Sequence, residues 1–117
     1  MAYLRNLSLA GVLLLATAFT FFHHGWAEYD QTRAIDYKAT IEKLVWENPH
    51  ALATVKYKGA STTVYLAPTT RMNDRGLSPE MVKEGTAVRL VAYPHKSGKN
   101  EMRAERIYVG DKKYELR

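Results

Sequence analysis

Ile35, Tyr37, Ala39 and Ile41 alternate with Asp36, Lys38, Thr40 and Glu42. A repeat of two puts the apolar set on one face of an extended chain and the polar set on the other, which commits the segment to a half-buried strand. The repeat returns along the chain. Over 50–58 it sets Ala51, Ala53, Val55 and Tyr57 against His50, Leu52, Thr54 and Lys56. Over 62–68 it turns Val64 and Leu66 inward, and over 86–94 it gathers Val88, Leu90 and Ala92 on one face. A last strand is expected over 101–109. Strands of this kind hide their apolar faces by closing a sheet on itself or by stacking two sheets.

The breaks in the pattern carry as much information. After Lys43 the apolar parity flips to Leu44 and Trp46, and it slips again between Ala104 and Ile107. Each flip predicts a bulge or sharp bend. Pro49 has no N–H to give a ladder and stops the first strand. Gly59–Ser61 reads as a hairpin turn. Residues 69–85 change character: Thr70 is expected to cap a helical turn ended by Gly76, and Ser78 with Pro79 to open a second that Gly85 stops. The order is three strands, a helical link and two strands, with a long bent first strand. It predicts an all-β domain over 33–117 with one short helical segment, a small five-stranded Greek-key barrel of the OB type. An open sandwich or a meander are the alternatives, and 110–117 is a tail or an added edge strand.

Before this domain, Leu7–Phe22 is apolar behind Arg5, and Ala16, Thr17 and Ala18 offer a small-x-small cleavage site. This is the pattern of a secretory leader over 1–18, with the cut placed between 18 and 22. The run falls short of the ~20 residues a spanning helix needs. A periplasmic or secreted protein with no stable membrane span after cleavage is expected, with 19–32 as a lead-in to the barrel. The chain has no cysteine, which removes disulfides, thiolate metal sites and thiol nucleophiles. Its 17 basic and 12 acidic residues give +5, interspersed rather than blocked.

No catalytic constellation is legible. Ser61, Ser78 and Ser97 sit at expected turns or a cap, and no phosphate-binding loop or metalloprotease pattern occurs. The chain is therefore expected to bind rather than catalyse. Three of its four histidines and both tryptophans fall in "HHGW" (23–26) and "WENPH" (46–50). Neutral imidazole suits copper and zinc. The candidate ligand set is His50 with His23 or His24, for copper ahead of zinc, since adjacent histidines of an extended chain point opposite ways. Trp26 and Trp46 would shield such a site, Asn48 and Pro49 would shape it, and Met72 and Met102 are soft donors suited to Cu(I).

Two other readings stand beside it. In one, "HHGW" packs on "WENPH" with no metal, and a periplasmic protein partner binds elsewhere. In the other, a sugar, peptide or other organic ligand binds the outer barrel face, which would carry His50, Leu52, Thr54, Lys56, Thr63 and Tyr65. Arg71, Arg75, Arg103 and Arg106 would form an anion patch if a bulge aligns the last two. Nucleic acid is not expected, because single-strand binding calls for several stacking rings in a basic groove.

"HHGWAEYD", "WENPH", "LAPTTRMNDRGL" and "EMRAERI" occur in that order. Together they resemble a family of small exported bacterial proteins of unknown function, over about 23–109. The resemblance implies an exported small β-barrel. It groups His23, His24, Gly25, Trp26, Trp46, Asn48, Pro49 and His50 as signature positions and brings no activity with it. "FTFF" (19–22) separates the expected cleavage residue from the paired histidines, a departure from the family layout.

Overall fold

The computed structural model describes residues 24–117. The segment expected to be a leader, the expected cleavage region and His23 lie outside the described residues. Seven strands form one sheet: β1 (Ile35–Thr40), β2 (Lys43–Val45), β3 (Leu52–Tyr57), β4 (Ala60–Tyr65), β5 (Ala87–Pro94), β6 (Glu101–Val109) and β7 (Lys112–Glu115). Helix α1 (His24–Ala27) precedes them, and α2 (Thr69–Asp74) with a 3-10 turn (Pro79–Val82) links β4 to β5. The strand path runs β1-β5-β6-β4-β3-β2, with β7 added on β6. Every pair is antiparallel except β4 with β6.

β1 and β2 are two halves of one bent segment. Between them, the N–H of Ile41 donates to the Thr86 carbonyl (2.9 Å), the N–H of Gly85 to the Ile41 carbonyl (2.7 Å), and the N–H of Glu42 to the Thr54 carbonyl (2.8 Å). Two residues thus hand the chain from the β5 side to the β3 side, with Ile41 fully buried at the bend. The sheet path begins and ends on this segment, so the sheet curls around a single core in the OB manner. The all-β class is as expected. The strand number is seven rather than five, because the first strand breaks at Ile41 and the tail pairs with β6.

Val55, Val64, Leu66, Leu90 and Ile107 are fully buried in the core, and Met72, Leu77 and Val82 pack on them from the helical link. The β3–β4 turn falls on Lys58 and Gly59, both at positive φ (51° and 80°), one residue earlier than the composition suggests. α2 begins after Pro68 rather than on Thr70 and has no side-chain cap; the hydroxyl of Thr69 donates instead to Asn48 Oδ1 (2.8 Å). Ser78 precedes the 3-10 turn, again without a capping bond from its side chain.

The slip near Ala104 is a bulge. Val91 pairs with Arg106 and Ala92 with Ala104, so Glu105 is the extra residue. The bulge resets the parity and lets Ala104 and Ile107 both face the core. Since Met102 and Ala104 point inward, Arg103 between them points out.

Candidate functional site

The corner 46–50 is fixed from both sides. Trp46 packs half-buried on the core, and the Asn48–Pro49 peptide bond is cis. Beyond it, the N–H of Ala51 donates to the Ala67 carbonyl (3.1 Å) and its carbonyl accepts from the N–H of Leu66 (2.9 Å). Ala51 is fully buried, so His50 before it turns to the outer face. There its Nε2 lies 3.4 Å from Nη2 of Arg103.

Arg103 stands on β6 opposite Tyr93 of β5 and Tyr65 of β4, and is only 9 % exposed. Its Cζ lies 4.3 Å from the centroid of the Trp26 ring, and Arg117 approaches the same indole at 4.2 Å. Trp26 also meets Tyr93 edge-on at 6.1 Å. A Cβ on Gly25 would stand 2.7 Å from Arg103 Nη1, so glycine is what allows α1 to lie against the guanidinium. Nε of Arg103 is buried with no hydrogen-bond partner, and no carboxylate pairs with the group among the described residues. Burial lowers its pKa, and the Arg71 and Arg117 cations add to that while Tyr29 opposes it. A buried charge ordinarily carries a partner.

The other arginines of the expected patch are engaged. Nη1 of Arg71 donates to the Leu116 carbonyl (3.0 Å), and Nη1 of Arg75 to the carbonyls of Glu115 (2.6 Å) and Arg117 (3.2 Å). Arg106 pairs with Glu115 (3.1 Å) and Glu105 (3.5 Å). The bulge points Arg103 and Arg106 to the same side of β6, yet it does not join them in one anion site. Arg71 and Arg75 clamp the C-terminal strand.

Next to Arg103 a cleft of about 330 Å³ opens, bounded by Gly25, Glu28, Tyr29, His50, Tyr65, Lys99, Glu101 and Arg103. It lies over the β4 and β6 face between the β2–β3 corner and the β5–β6 loop. Tyr29 is 4 % exposed, and its hydroxyl donates to Glu101 Oε2 (2.8 Å). Burial first, and then that carboxylate, raise its pKa well above the ordinary phenol value. The segment carrying it is stapled to the barrel. Tyr29 bridges to His95, the N–H of Asp30 donates to the Pro94 carbonyl (2.8 Å), and the N–H of Lys96 to the Glu28 carbonyl (2.9 Å).

His95 is held in one tautomer. The N–H of Ser97 donates to its Nδ1 (3.1 Å), which leaves the proton on Nε2. That buried Nε2 faces Glu28 Oε2 (3.9 Å) and Glu101 Oε2 (3.8 Å). Among the described residues no three histidine, aspartate or glutamate side chains are placed to hold a metal. Met72 and Met102 are core residues, 1 % and 4 % exposed, and the Tyr37 hydroxyl contacts Met102 sulfur at 3.6 Å. Trp26 and Trp46 make no ring contact with each other among the described residues. His24 opens α1.

Sequence reading alone missed Tyr29, Glu101 and Lys99 as cleft residues. No local pattern marks Tyr29, which lies beyond the end of α1 in the bridge to His95.

The pKa of His50 lies below the ordinary 6.5, chiefly through burial and then through the Arg103 and Arg71 cations. The native state therefore binds fewer protons here than the unfolded chain. The stability this leaves is fully present above pH ~6.5 and is lost as pH falls through the native pKa. Denaturant midpoints between pH 7.5 and 5.0 should fall for the wild type and stay flatter for His50→Gln. The lowered carboxyls, Asp30 and Asp36, titrate below 3.8, outside this window.

A family model matches residues 11–104, and its description is a family of unknown function (DUF6152). No curated protein matches the chain.

Proposed function

The chain belongs to DUF6152, and within that family of unknown function we propose that it is an exported binding protein, not an enzyme, whose ligand is a small organic anion. One observation carries the reading: Arg103 is a buried guanidinium with an unpartnered Nε and no carboxylate partner among the described residues, beside an open cleft. An anion in that cleft would meet Nη2 of Arg103, His50 and the Tyr65 hydroxyl, and it would supply the missing countercharge. The face is also the one that OB barrels use for ligands, which supports the reading by analogy of fold. Copper or zinc on His50 is less well supported, because a guanidinium 3.4 Å from Nε2 repels a cation.

Trp26 is the natural reporter, since it carries the Arg103 cation on its ring. In a Trp46→Phe background, acetate and other simple carboxylates should change the emission saturably at constant ionic strength. A response that follows ionic strength alone would overturn the reading. A response to Cu(II) that needs both His50 and either His23 or His24 would replace it with the metal site.

Gly25→Ala gives a second test. The added methyl must push Nη1 aside, while alanine favours the helix by up to ~1 kcal/mol. The melting temperature should hardly move, and acetate affinity should fall about tenfold, the worth of one charge-assisted hydrogen bond. Parallel thermal melts and acetate titrations check it.

A further inference from the structure

We propose that the ligand of this cleft is an α-amino acid, with its carboxylate at Arg103 and His50 and its ammonium at Glu101. The proposal rests on the reading of Arg103 as an anion site and adds the second half of the ligand. Glu101 and Arg103 line the same cleft. They are two residues apart on β6, so their side chains leave one face of the strand about 7 Å apart. An adjacent carboxylate and ammonium, each reaching one hydrogen bond outward, span about that distance.

The charge of the walls agrees. Arg103 and Lys99 are balanced by Glu28 and Glu101, so the cleft is close to neutral. A phosphate or dicarboxylate would satisfy Arg103 and then face two carboxylates, at a Coulombic cost. A zwitterion adds no net charge and meets a partner at each end. Glu101 has capacity for the ammonium. A carboxylate offers about four lone-pair sites; the Tyr29 hydroxyl takes one on Oε2, while His95 Nε2 (3.8 Å) and Lys99 (3.9 Å, 58 % of its side chain exposed) approach the same oxygen. Tyr29 holds Glu101 in place by its hydrogen bond. The volume, about 330 Å³, is at the small end of ligand pockets and fits a single amino acid better than a long polymer.

The test compares ligands first and variants second. The wild-type protein is titrated by calorimetry with L-alanine, L-glutamate, L-lysine and L-phenylalanine. Each is paired with its N-acetyl derivative, and acetate and inorganic phosphate are run alongside. At least one free amino acid should bind tenfold or more tightly than its N-acetyl form, and Glu101→Gln should erase that difference while acetate binds at least as tightly as to the wild type, because one carboxylate facing the anion is gone. If N-acetyl derivatives or acetate bind as well as the free amino acids, the ammonium site is wrong and the Arg103 site stands. If no carboxylate or phosphate binds, both fail. Thermal melts of Glu101→Gln separate loss of the ammonium site from loss of the fold.

Discussion

Arg103→Met should leave the protein at least as stable as the wild type while reducing carboxylate binding about a hundredfold, the worth of two hydrogen bonds to a charged group. Methionine keeps a flexible stem of similar reach and fills the same space against Trp26. What is lost is the cation–π contact, worth about 0.5–2 kcal/mol. What is removed is the desolvation of a guanidinium without an acidic partner, several kcal/mol even after relaxation. The second is the larger, so the melting temperature should hold or rise. Arg106→Met is the control: it breaks partly exposed pairs with Glu115 and Glu105 and should shift stability by no more than about 1 kcal/mol in either direction. Were Arg103 a purely structural residue, its replacement would cost about 3 kcal/mol or more, and the two melts would reverse in order.

The largest loss of stability is expected at Leu90→Ala. Leu90 is fully buried on β5, paired with Tyr37 of β1 on one side and Ile107 of β6 on the other. Strands tied on both flanks collapse little around a void, so the cost should lie toward the upper part of the 2–5 kcal/mol range for such truncations. For a domain of this size that lowers the melting temperature by 12 °C or more. Chemical denaturation should give an unchanged slope with a lower midpoint. A loss below about 1 kcal/mol would mean that β5 is not the centre of the core.

Period-two alternation made the inward residues of β3, β4 and β5 legible, because each strand has one face against the core. The parity slip at Ala104 was legible for the same reason, since a bulge leaves a one-residue trace in the pattern. The break of the first strand was only half visible: the flip at Leu44 marks it, but Ile41 continues the alternation and hides where the ladder changes partner. The end of the chain was ambiguous because Arg71 and Arg75 hold the carbonyls of Glu115, Leu116 and Arg117 at the close of β7, a contact across some forty residues.

The site was harder to read. His50 and Arg103 both stood out, but in separate groups, one as a metal ligand and one in an anion patch. Their meeting depends on β4 and β6 running parallel side by side, which no local pattern announces. That Arg103 has no acidic partner is equally non-local. Glu101 and Glu105 each stand two residues away in sequence. Glu101 takes the Tyr29 hydroxyl, and Glu105 accepts from the Tyr93 hydroxyl and pairs with Arg106 and Arg117 instead.

The pairing of the first strand with the fifth also bears on how the chain reaches its native state. Ile35 pairs with Ala92, so the curl cannot close until the segment after the helical link is free to join. Until then only the β2–β3 and β3–β4 pairs can form, and β4 still lacks its partner β6. Topologies dominated by such distant pairings fold slowly. If the chain is exported as proposed, it must reach a narrow channel still open, and this strand order would supply that delay from within.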